Sequence, residues 1–276
     1  MSERPAAARG SMPRGRFLVA VTDYATQVLA VADAEARKLR HDPWELLSRA
    51  IQPVLWLVLF GGVMAQVRGL SSGTIPYLDF LAPGILAQSV LFVAIFYGIS
   101  AIWERDLGVL HRYMVSPAPR SALVIGKALS STIRGLSQAV VIYLCAALMG
   151  VNLDFDPRRI VLVILFVALG AGLFSTFSLI IACIVKTRER FMGIGQVLTM
   201  PIFFASNAIY PINLMPGWLK TISALNPLTY EVDGLRSLML RGGESTFGLA
   251  HDFAALIIAT SVFVMIATRI YPRMTE

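Results

Sequence analysis

Charged side chains are scarce in this sequence. Of its 276 residues, 15% are charged and 56% are hydrophobic, whereas a soluble domain has about 25% charged residues. A chain with so little charge cannot cover its surface with polar groups. The composition therefore excludes an ordinary soluble globular protein and indicates a membrane protein.

Six stretches contain no Lys, Arg, Asp or Glu at all. They are 50–67, 80–103, 135–153, 160–185, 191–219 and 253–268. A spanning helix needs about 20 apolar residues, so we predict an all-α polytopic membrane protein with six transmembrane helices. With flanking residues added, the predicted spans are about 48–68, 77–103, 121–150, 159–185, 190–211 and 250–271.

Cysteine and histidine are also rare. Cys145 and Cys183 lie inside predicted spans, and the three histidines are far apart in the predicted topology, so no disulfide or metal site is indicated. No span groups residues for intramembrane catalysis, and the only loop that resembles a channel filter, 211–230, is too apolar to coordinate ions. There is no G-x-x-x-x-G-K-[ST] motif to cradle ATP phosphates. We predict that the chain is not an enzyme and has no cofactor or metal of its own.

The segments around the spans complete the predicted organisation. Residues 1–23 read as a disordered cytoplasmic tail, and 24–272 as one transmembrane domain. Within it, 24–47 predicts an amphipathic helix in the membrane interface. Pro83-Gly84 predicts a break in the second span. The half-apolar segment 215–240, which follows Pro211 and contains Pro216 and Pro227, predicts an outer re-entrant hairpin of two short helices that turns at Asn226-Pro227.

Basic residues are distributed unevenly about these spans. Of the 24 Lys and Arg residues, 17 fall in the N-terminal segment, the second and fourth loops and the C-terminal tail. The positive-inside rule therefore places both termini in the cytoplasm. The net charge of +7 is spread over these short segments rather than gathered on one folded surface, so no nucleic-acid partner is expected.

A short charged island, 103–127, lies between two of the uncharged runs, and its part 104–117 separates the second and third predicted spans. Its charges would cost about 2.5–3.5 kcal/mol each in hydrocarbon, so it lies at a membrane face. A helix is predicted over 106–115, because prolines at 117 and 119 end it. A short cytoplasmic helix between two spans indicates a docking element for another protein.

Arg134 is the one charge placed deep in a predicted span. It either snorkels back to the cytoplasmic face or faces inward toward an anionic cargo group or acidic partner. Arg236 and Lys220 are expected to face the outer surface or to pair with Glu231 or Asp233. The candidate residues of a translocation pathway or gate are Arg134, Phe96, Tyr97, Pro211, Asn226, Pro227 and Tyr230.

Several motifs together resemble the permeases of type-2 ABC exporters (the ABC-2 family). The motifs are Leu39-Arg40-His41-Asp42-Pro43 before a span with Pro53; Pro83-Gly84; Glu104-Arg105 with Gly108, Ser116-Pro117, Arg120 and Lys127; and Leu225-Asn226-Pro227-Leu228-Thr229-Tyr230 with Arg236. The resemblance covers about 30–270. It is strongest to the daunorubicin-exporter-like branch, alongside the nodulation-factor exporters. The sequence departs from the family pattern at His111-Arg112, where an acidic residue is common.

The resemblance implies a half-transporter in the cytoplasmic membrane of a prokaryote. Two permease subunits, expected to be identical, pair among membrane lipids and dock two copies of an ABC ATP-binding subunit, which binds ATP and Mg. The cargo is an amphipathic drug, lipid or lipid-linked molecule; the alternative is a polysaccharide or teichoic acid, which requires a wider, aromatic-lined channel. Segment 104–117 becomes the coupling helix. The residues expected to couple to the ATPase are Glu104, Arg105, Gly108, Arg112, Ser116 and Pro117.

The predicted topology is open to a direct test. A single cysteine at position 113 is expected to react with a membrane-impermeant thiol reagent only after the membrane is opened, because the 104–117 island lies in the cytoplasm. Labelling of this position from outside intact cells would contradict the topology.

Overall fold

The computed structural model describes residues 43–64, 75–108, 120–185 and 187–271, together with positions 26, 29, 33 and 37. In this part of the chain the regular structure is helical, which confirms the all-α prediction, and the one strand-like pairing is an isolated bridge between Leu153 and Leu240. In order, the helices are α1 (Pro43–Leu55), α2 (Tyr77–Tyr97), α3 (Ile99–Asp106), α4 (Arg120–Leu148), α5 (Pro157–Ile184), α6 (Arg188–Phe204), α7 (Gly217–Leu225), α8 (Pro227–Met239) and α9 (Leu249–Ile270).

Four of the helical stretches are long and apolar enough to cross a membrane. They are Tyr77–Asp106, Ser121–Leu148, Pro157–Ile184 and Leu249–Ile270. The apolar helix Ala50–Met64 is shorter, and α6 has 17 residues. Asn226 separates α7 from α8, so the two short helices predicted in 215–240 are both present.

The bundle has two polar ends. At the first, which we call the Asp79 end, the amide Nδ2 of Asn152 donates to Asp79 Oδ2 over 2.9 Å. At the second, the Asp106 end, the guanidinium of Arg188 lies 2.7 Å from Asp106 Oδ2. These contacts hold the connection after α4 against the start of α2, and the start of α6 against the end of α3.

Helix α5 lies at the centre and packs against α2, α4, α8 and α9. Small residues on its middle turns let these neighbours approach its backbone. Ser131 of α4 donates to the Ala171 carbonyl over 3.3 Å, and Thr132 donates to the Ala168 carbonyl over 3.3 Å. On another side, Ser178 donates to the Ile95 carbonyl of α2. The core of the bundle therefore combines apolar packing with hydroxyl bonds to helix backbone.

The first helix begins at Pro43 and continues through a π-helical turn at Trp56–Gly61 to Met64. Residues 43–47 thus belong to the same helix as the first predicted span, although 24–47 was predicted as a separate interfacial helix. The four described positions between 26 and 37 are helical and exposed. The predicted tail 1–23 and the end of the first predicted span, 65–68, lie outside the described residues.

The break predicted at Pro83-Gly84 is wrong, because α2 runs through both residues. Neighbouring segments instead pack closely around this turn, which is how membrane helices accommodate proline. A Cβ at Gly84 would collide with the carbonyl oxygen of Ala208. Gly84 therefore lets the chain after α6 approach the helix closely, and Pro83 does not end the helix.

The second predicted span also extends further than expected. After a turn at Gly98, helix α3 continues to Asp106, and Gly108 then adopts a positive φ of 70°. Residues 104–106 are therefore the last turn of this helix rather than the start of a separate coupling helix. The rest of the predicted coupling helix, including Arg112, Ser116 and Pro117, lies outside the described residues.

The fifth predicted span was extended too far, to 211, since α6 ends at Phe204. The last carbonyls of α6 accept hydrogen bonds from side chains, in place of the backbone amides that a further helical turn would have supplied. Asn226 donates to the Ile202 carbonyl over 2.6 Å, Ser206 donates to the Phe203 carbonyl over 2.7 Å, and Tyr210 donates to the Phe204 carbonyl. Satisfying these carbonyls lets the chain leave the helix within an apolar environment.

Helix α8 brings a carboxyl group into the core. Glu231 is fully buried, and neither of its oxygens has a hydrogen-bond partner among the described residues. Burial raises the pKa of this carboxyl well above its ordinary value. A Cβ at Gly170 of α5 would collide with both oxygens. Glycine at this position therefore makes the space that the carboxyl group occupies.

This contact predicts a specific effect of replacing Gly170. The substitution Gly170→Ala is expected to destabilise the protein by about 1–3 kcal/mol through overpacking, and Glu231→Ala in the same chain should recover most of the loss. The measurement is thermal unfolding of the purified protein in detergent, followed by tryptophan fluorescence.

The matched control is Gly172→Ala, two residues along the same helix. A Cβ there would have Ala128 Cβ as its nearest neighbour at 3.9 Å, so the change should be neutral or, through helix propensity, slightly stabilising. An equal loss of stability in both single variants would disprove a specific clash with Glu231.

Candidate functional site

A cavity of about 330 Å³ lies between α1, α2 and α6. Its residues are Ser48, Gln52, Pro53, Gln88, Ser89, Phe92, Val93, Phe96 and Gln196. The i, i+4 spacing of Ser48 and Gln52, and of Phe92 and Phe96, puts each pair on one helix face. Three glutamine side chains, one from each helix, thus meet in one cavity.

The cavity is polar at one wall and aromatic at another. Gln88 is 2% exposed, and its Oε1 atom has no hydrogen-bond partner among the described residues. The rings of Phe92 and Phe96 lie 6.1 Å apart between centroids. Because Gln88 is eleven residues after the start of α2, it lies about 16 Å along that helix. Gln88 is therefore near the middle of α2, away from both polar ends of the bundle.

Arg134 of α4 is not among the residues that line this cavity. Its guanidinium carbon is 4.5 Å from the centroid of the Tyr97 ring, and its Nη1 atom donates to Ser130 over 3.0 Å. The side chain is 6% exposed. The guanidinium bonds to Ser130, one turn nearer the Asp106 end, while it lies on the Tyr97 ring. Ser130 is about 15 Å along α4 from the start of that helix. This placement favours the inward-facing interpretation over snorkelling.

A buried ion pair lies one to two turns nearer the Asp106 end. Lys127 Nζ is 2.7 Å from Glu104 Oε2, and both side chains are less than one-tenth exposed. The ammonium is also 5.9 Å from the Tyr97 ring centroid. The pair connects α3 to α4. In the described structure Glu104 thus contacts the bundle interior rather than the surface on which a partner would dock.

Two further members of the predicted coupling site, Arg105 and Gly108, are partly exposed at the Asp106 end. Asp106 accepts from Arg188 and lies 3.2 Å from Arg105. The Arg188 guanidinium also covers the Trp103 ring at 3.5 Å. Among the described residues, nothing lies within 4 Å of a Cβ built at Gly108. This end therefore offers an open surface where the second and fourth predicted loops are joined.

Four of the seven predicted pathway or gate residues lie around the α7–α8 hairpin. Asn226 caps α8 by accepting from the Leu228 amide over 3.0 Å, and Pro227 is the first residue of that helix. Tyr230 donates to the Ala224 carbonyl over 2.6 Å, which ties α8 to α7. Pro211 precedes a 3₁₀ turn at Ile212–Leu214. An open apolar groove of about 570 Å³, which includes Asn226 and Pro227, separates the hairpin from the end of α6.

The predicted environment of Arg236 is wrong. Its side chain is 6% exposed and donates to the carbonyls of Phe80, over 3.3 Å, and Asn207, over 2.8 Å. Burial lowers the pKa of Arg236 to about 10, although nearby Asp233 opposes this, so the group stays charged at neutral pH. In an apolar surrounding these backbone carbonyls attract the guanidinium inward. Arg236 thereby connects α8 to α2 and to the chain after α6.

Asp233 has a different set of partners. It accepts from the backbone amides of Thr246 and Phe247, over 2.7 and 3.1 Å, and from the hydroxyls of Ser245 and Thr246. The carboxylate therefore fixes the loop that enters α9. Arg236 and Asp233 together hold the hairpin at the Asp79 end.

Sequence reasoning missed the three glutamines. The search for spans counted charged residues only, so amides inside uncharged runs gave no signal. A search for polar side chains repeated at helical spacing within apolar runs would have found Ser48 with Gln52, and Gln88. Their meeting with Gln196 depends on how three helices pack, which the spacing does not give.

Comparison with known proteins identifies the family. The sequence profile described as "ABC-2 type transporter" matches residues 26–240. The chain belongs to the ABC-2 type transporter family. The matched region includes the glutamine-lined cavity and the α7–α8 hairpin. With several long apolar helices, this ABC-2 chain is a multi-pass membrane protein.

Individual ABC-2 relatives are similar over most of their length. The transport permease ycf38 of Cyanophora paradoxa is 30% identical over 235 residues, which cover 83% of this chain and 80% of the relative. The daunorubicin resistance ABC transporter permease protein DrrB1 of Streptomyces coeruleorubidus is 25% identical, with 84% and 81% covered. The inner membrane transport permease YadH of Escherichia coli K12 is 25% identical, with 83% and 87% covered.

The ion pair between α3 and α4 predicts a large effect of a single substitution. Lys127→Met removes the ammonium from a buried carboxylate and is expected to cost about 3–5 kcal/mol. The double variant Lys127→Met, Glu104→Gln should recover much of this loss, because the carboxylate is then gone as well. Thermal unfolding of the purified protein measures both.

The control is an ion pair of the same length on the surface. Arg37 Nη2 lies 2.7 Å from Asp33 Oδ2, and both side chains are exposed. Arg37→Met should cost less than about 1 kcal/mol. If Lys127→Met were no more costly than Arg37→Met, the buried pair would not contribute to holding α3 against α4.

Proposed function

We propose that this chain is the membrane-spanning permease subunit of an ATP-binding-cassette exporter. It moves an amphipathic drug, lipid or lipid-linked molecule outward across the cytoplasmic membrane of a prokaryote. The chain itself carries out no catalysis. The observation that carries the proposal is the half-polar, half-aromatic cavity between α1, α2 and α6, within a chain of the ABC-2 family.

The cavity has the size and chemistry for such a cargo. Sites for drug-sized ligands have volumes of about 300–1,000 Å³ and combine apolar walls with a few polar groups. A cavity of about 330 Å³ is at the lower limit of that range. Its volume supports a small amphiphile over the alternative, a polysaccharide or teichoic acid, which needs a continuous wide channel.

The proposed topology has six spans and both termini in the cytoplasm. Besides the four long helices, the spans are the helix over 43–64 and α6, whose 17 residues extend about 25 Å. The Asp106 end is cytoplasmic and the Asp79 end is external. The α7–α8 hairpin re-enters the outer leaflet: Leu225 at its tip is 81% exposed, which suits contact with lipid or with a second permease subunit.

The energy for transport comes from a partner. ABC-2 permeases work with an ATP-binding subunit, and we propose two copies of it, which hold ATP and Mg, with a second and identical permease subunit. The docking surface is the Asp106 end, with Arg105, Gly108, Arg112, Ser116 and Pro117 in contact and Glu104 supporting them from inside. The Asp106–Arg188 pair connects this surface to α6, one wall of the cavity.

Docking at the Asp106 end is tested by an acidic substitution. Gly108→Glu is expected to reduce recovery of the ATP-binding subunit about tenfold when the tagged chain is purified from native membranes, since a charge on the docking surface costs about 1.4 kcal/mol or more. Mg·ATP hydrolysis by the purified material should fall in parallel.

Gly150→Glu is the matched control. Gly150 also follows a helix end, has a φ of 81° and has nothing within 4 Å of a built Cβ, but it lies at the Asp79 end. Recovery of the ATP-binding subunit should be normal in this variant. If both variants retain the subunit equally, docking does not occur at Gly108, and absence of any co-purifying ATPase from the unsubstituted chain overturns the exporter proposal itself.

A further inference from the structure

The buried amide of Gln88 is the least satisfied group in the cavity. Its side chain is 2% exposed, and its oxygen has no hydrogen-bond partner among the described residues. A buried acceptor without a donor is unfavourable. Gln88 also lines the cavity, so a rotation of its amide would present this oxygen to an O–H or N–H group of a bound molecule.

The other polar groups of the cavity are uncharged as well. Gln52 and Gln196 contribute two more amides at its exposed side, and Ser48 contributes a hydroxyl. Ser89 donates its own hydrogen to the Leu86 carbonyl over 2.8 Å, so toward the cavity it offers an acceptor. The set provides both donors and acceptors, which suits a ligand that carries several hydroxyl or amide groups.

Among the side chains that the structure describes, those that line the cavity include no Lys, Arg, Asp or Glu. The buried charges of α3 and α4 are directed elsewhere: Arg134 lies on the Tyr97 ring and Lys127 pairs with Glu104. An ionised group transferred into the cavity would lose hydration without meeting a countercharge, which is costly at a buried site. The cavity therefore discriminates against charged headgroups of either sign.

An apolar wall completes the site. Pro53, Val93 and the paired rings of Phe92 and Phe96 face the amides. A ligand that fills the cavity places an alkyl or aromatic portion on these rings and its polar portion on the glutamines. Such a molecule is amphipathic but carries no net charge at its headgroup.

We propose that the Gln52–Gln88–Gln196 cavity is a binding site for the uncharged, hydrogen-bonding headgroup of an amphipathic molecule such as a glycoside or polyhydroxylated amphiphile. The inference rests on the proposed transport function and narrows its cargo class. Gln88 recognises a hydroxyl or amide donor, and Phe92 and Phe96 hold the adjoining apolar portion.

The test uses three photoreactive probes with the same ten-carbon diazirine chain and different headgroups: a glucoside, a sulfate and a trimethylammonium. The full chain is reconstituted in phosphatidylcholine nanodiscs and labelled without ATP. Mass spectrometry quantifies the probe on α2 peptides that contain Gln88, relative to the α9 peptide that contains the exposed Ile258, which reports partition into lipid. We expect the glucoside to label the cavity at least about tenfold more than either ion.

Two substitutions of Gln88 identify the group responsible. Gln88→Leu keeps the volume but removes the amide, and it should reduce glucoside labelling about five-fold, as expected for one hydrogen bond. Gln88→Glu should raise labelling by the trimethylammonium probe. Gln138→Leu is the control, because Gln138 is a fully buried glutamine of α4 that does not line the cavity, and its labelling pattern should match the unsubstituted chain.

The proposal is overturned if the sulfate or the trimethylammonium labels the cavity as well as the glucoside does. It is equally overturned if Gln88→Leu and Gln138→Leu change glucoside labelling alike, or if Gln88→Glu leaves headgroup preference unchanged. Labelling needs neither ATP nor a partner subunit, so it tests the cargo class separately from the exporter proposal. If labelling fails in this way while an active ATPase still co-purifies with the chain, the cargo class is wrong and the exporter proposal stands.

Discussion

Close packing against α5 is the constraint on which the rest of the structure depends. Four helices, α2, α4, α8 and α9, make its most extensive contacts, and small residues on its middle turns let them approach closely. Gly170 makes space for the Glu231 carboxyl, while the carbonyls of Ala168 and Ala171 accept from hydroxyls of α4. In an apolar solvent the hydrophobic effect does not drive helices together, so contacts of this kind decide which helices associate. The positions of α2, α4, α8 and α9 follow from them.

Polar groups in the bundle fall into two kinds. Most hold one segment to another: Arg236 donates to carbonyls of α2 and of the chain after α6, Asp233 fixes the loop before α9, and Lys127 pairs with Glu104. Gln88 and Glu231 are different, since their side-chain oxygens are buried without a partner in the described structure; of these two residues, Gln88 lines the cavity. A polar group that stabilises nothing within the chain is a candidate for recognising something outside it.

In the proposed exporter, the docking surface and the cavity lie at different depths of the bundle and share one helix, α6. The Asp106 end joins the end of α3 to the start of α6, and α6 is also a wall of the cavity. The helix that a docked partner would move is thus a helix that the ligand contacts. Family membership supports the partner, and the cavity supports the cargo class; the two proposals depend on separate observations and can fail separately.

The sequence by itself determined the membrane class, the all-α fold and the approximate bounds of the long helices, because freedom from charge over some 20 residues is a local property. It predicted α5 over 159–185, and the helix is Pro157–Ile184. Motifs such as Leu225 to Tyr230 pointed to the family. The sequence did not predict that α6 ends at Phe204, that Arg236 points inward or that the helix continues through Pro83. Each of these features depends on a donor or carbonyl supplied by a distant segment. Only the tertiary structure decided that Gln52, Gln88 and Gln196 share a cavity, because three separate helices must pack together before their amides meet.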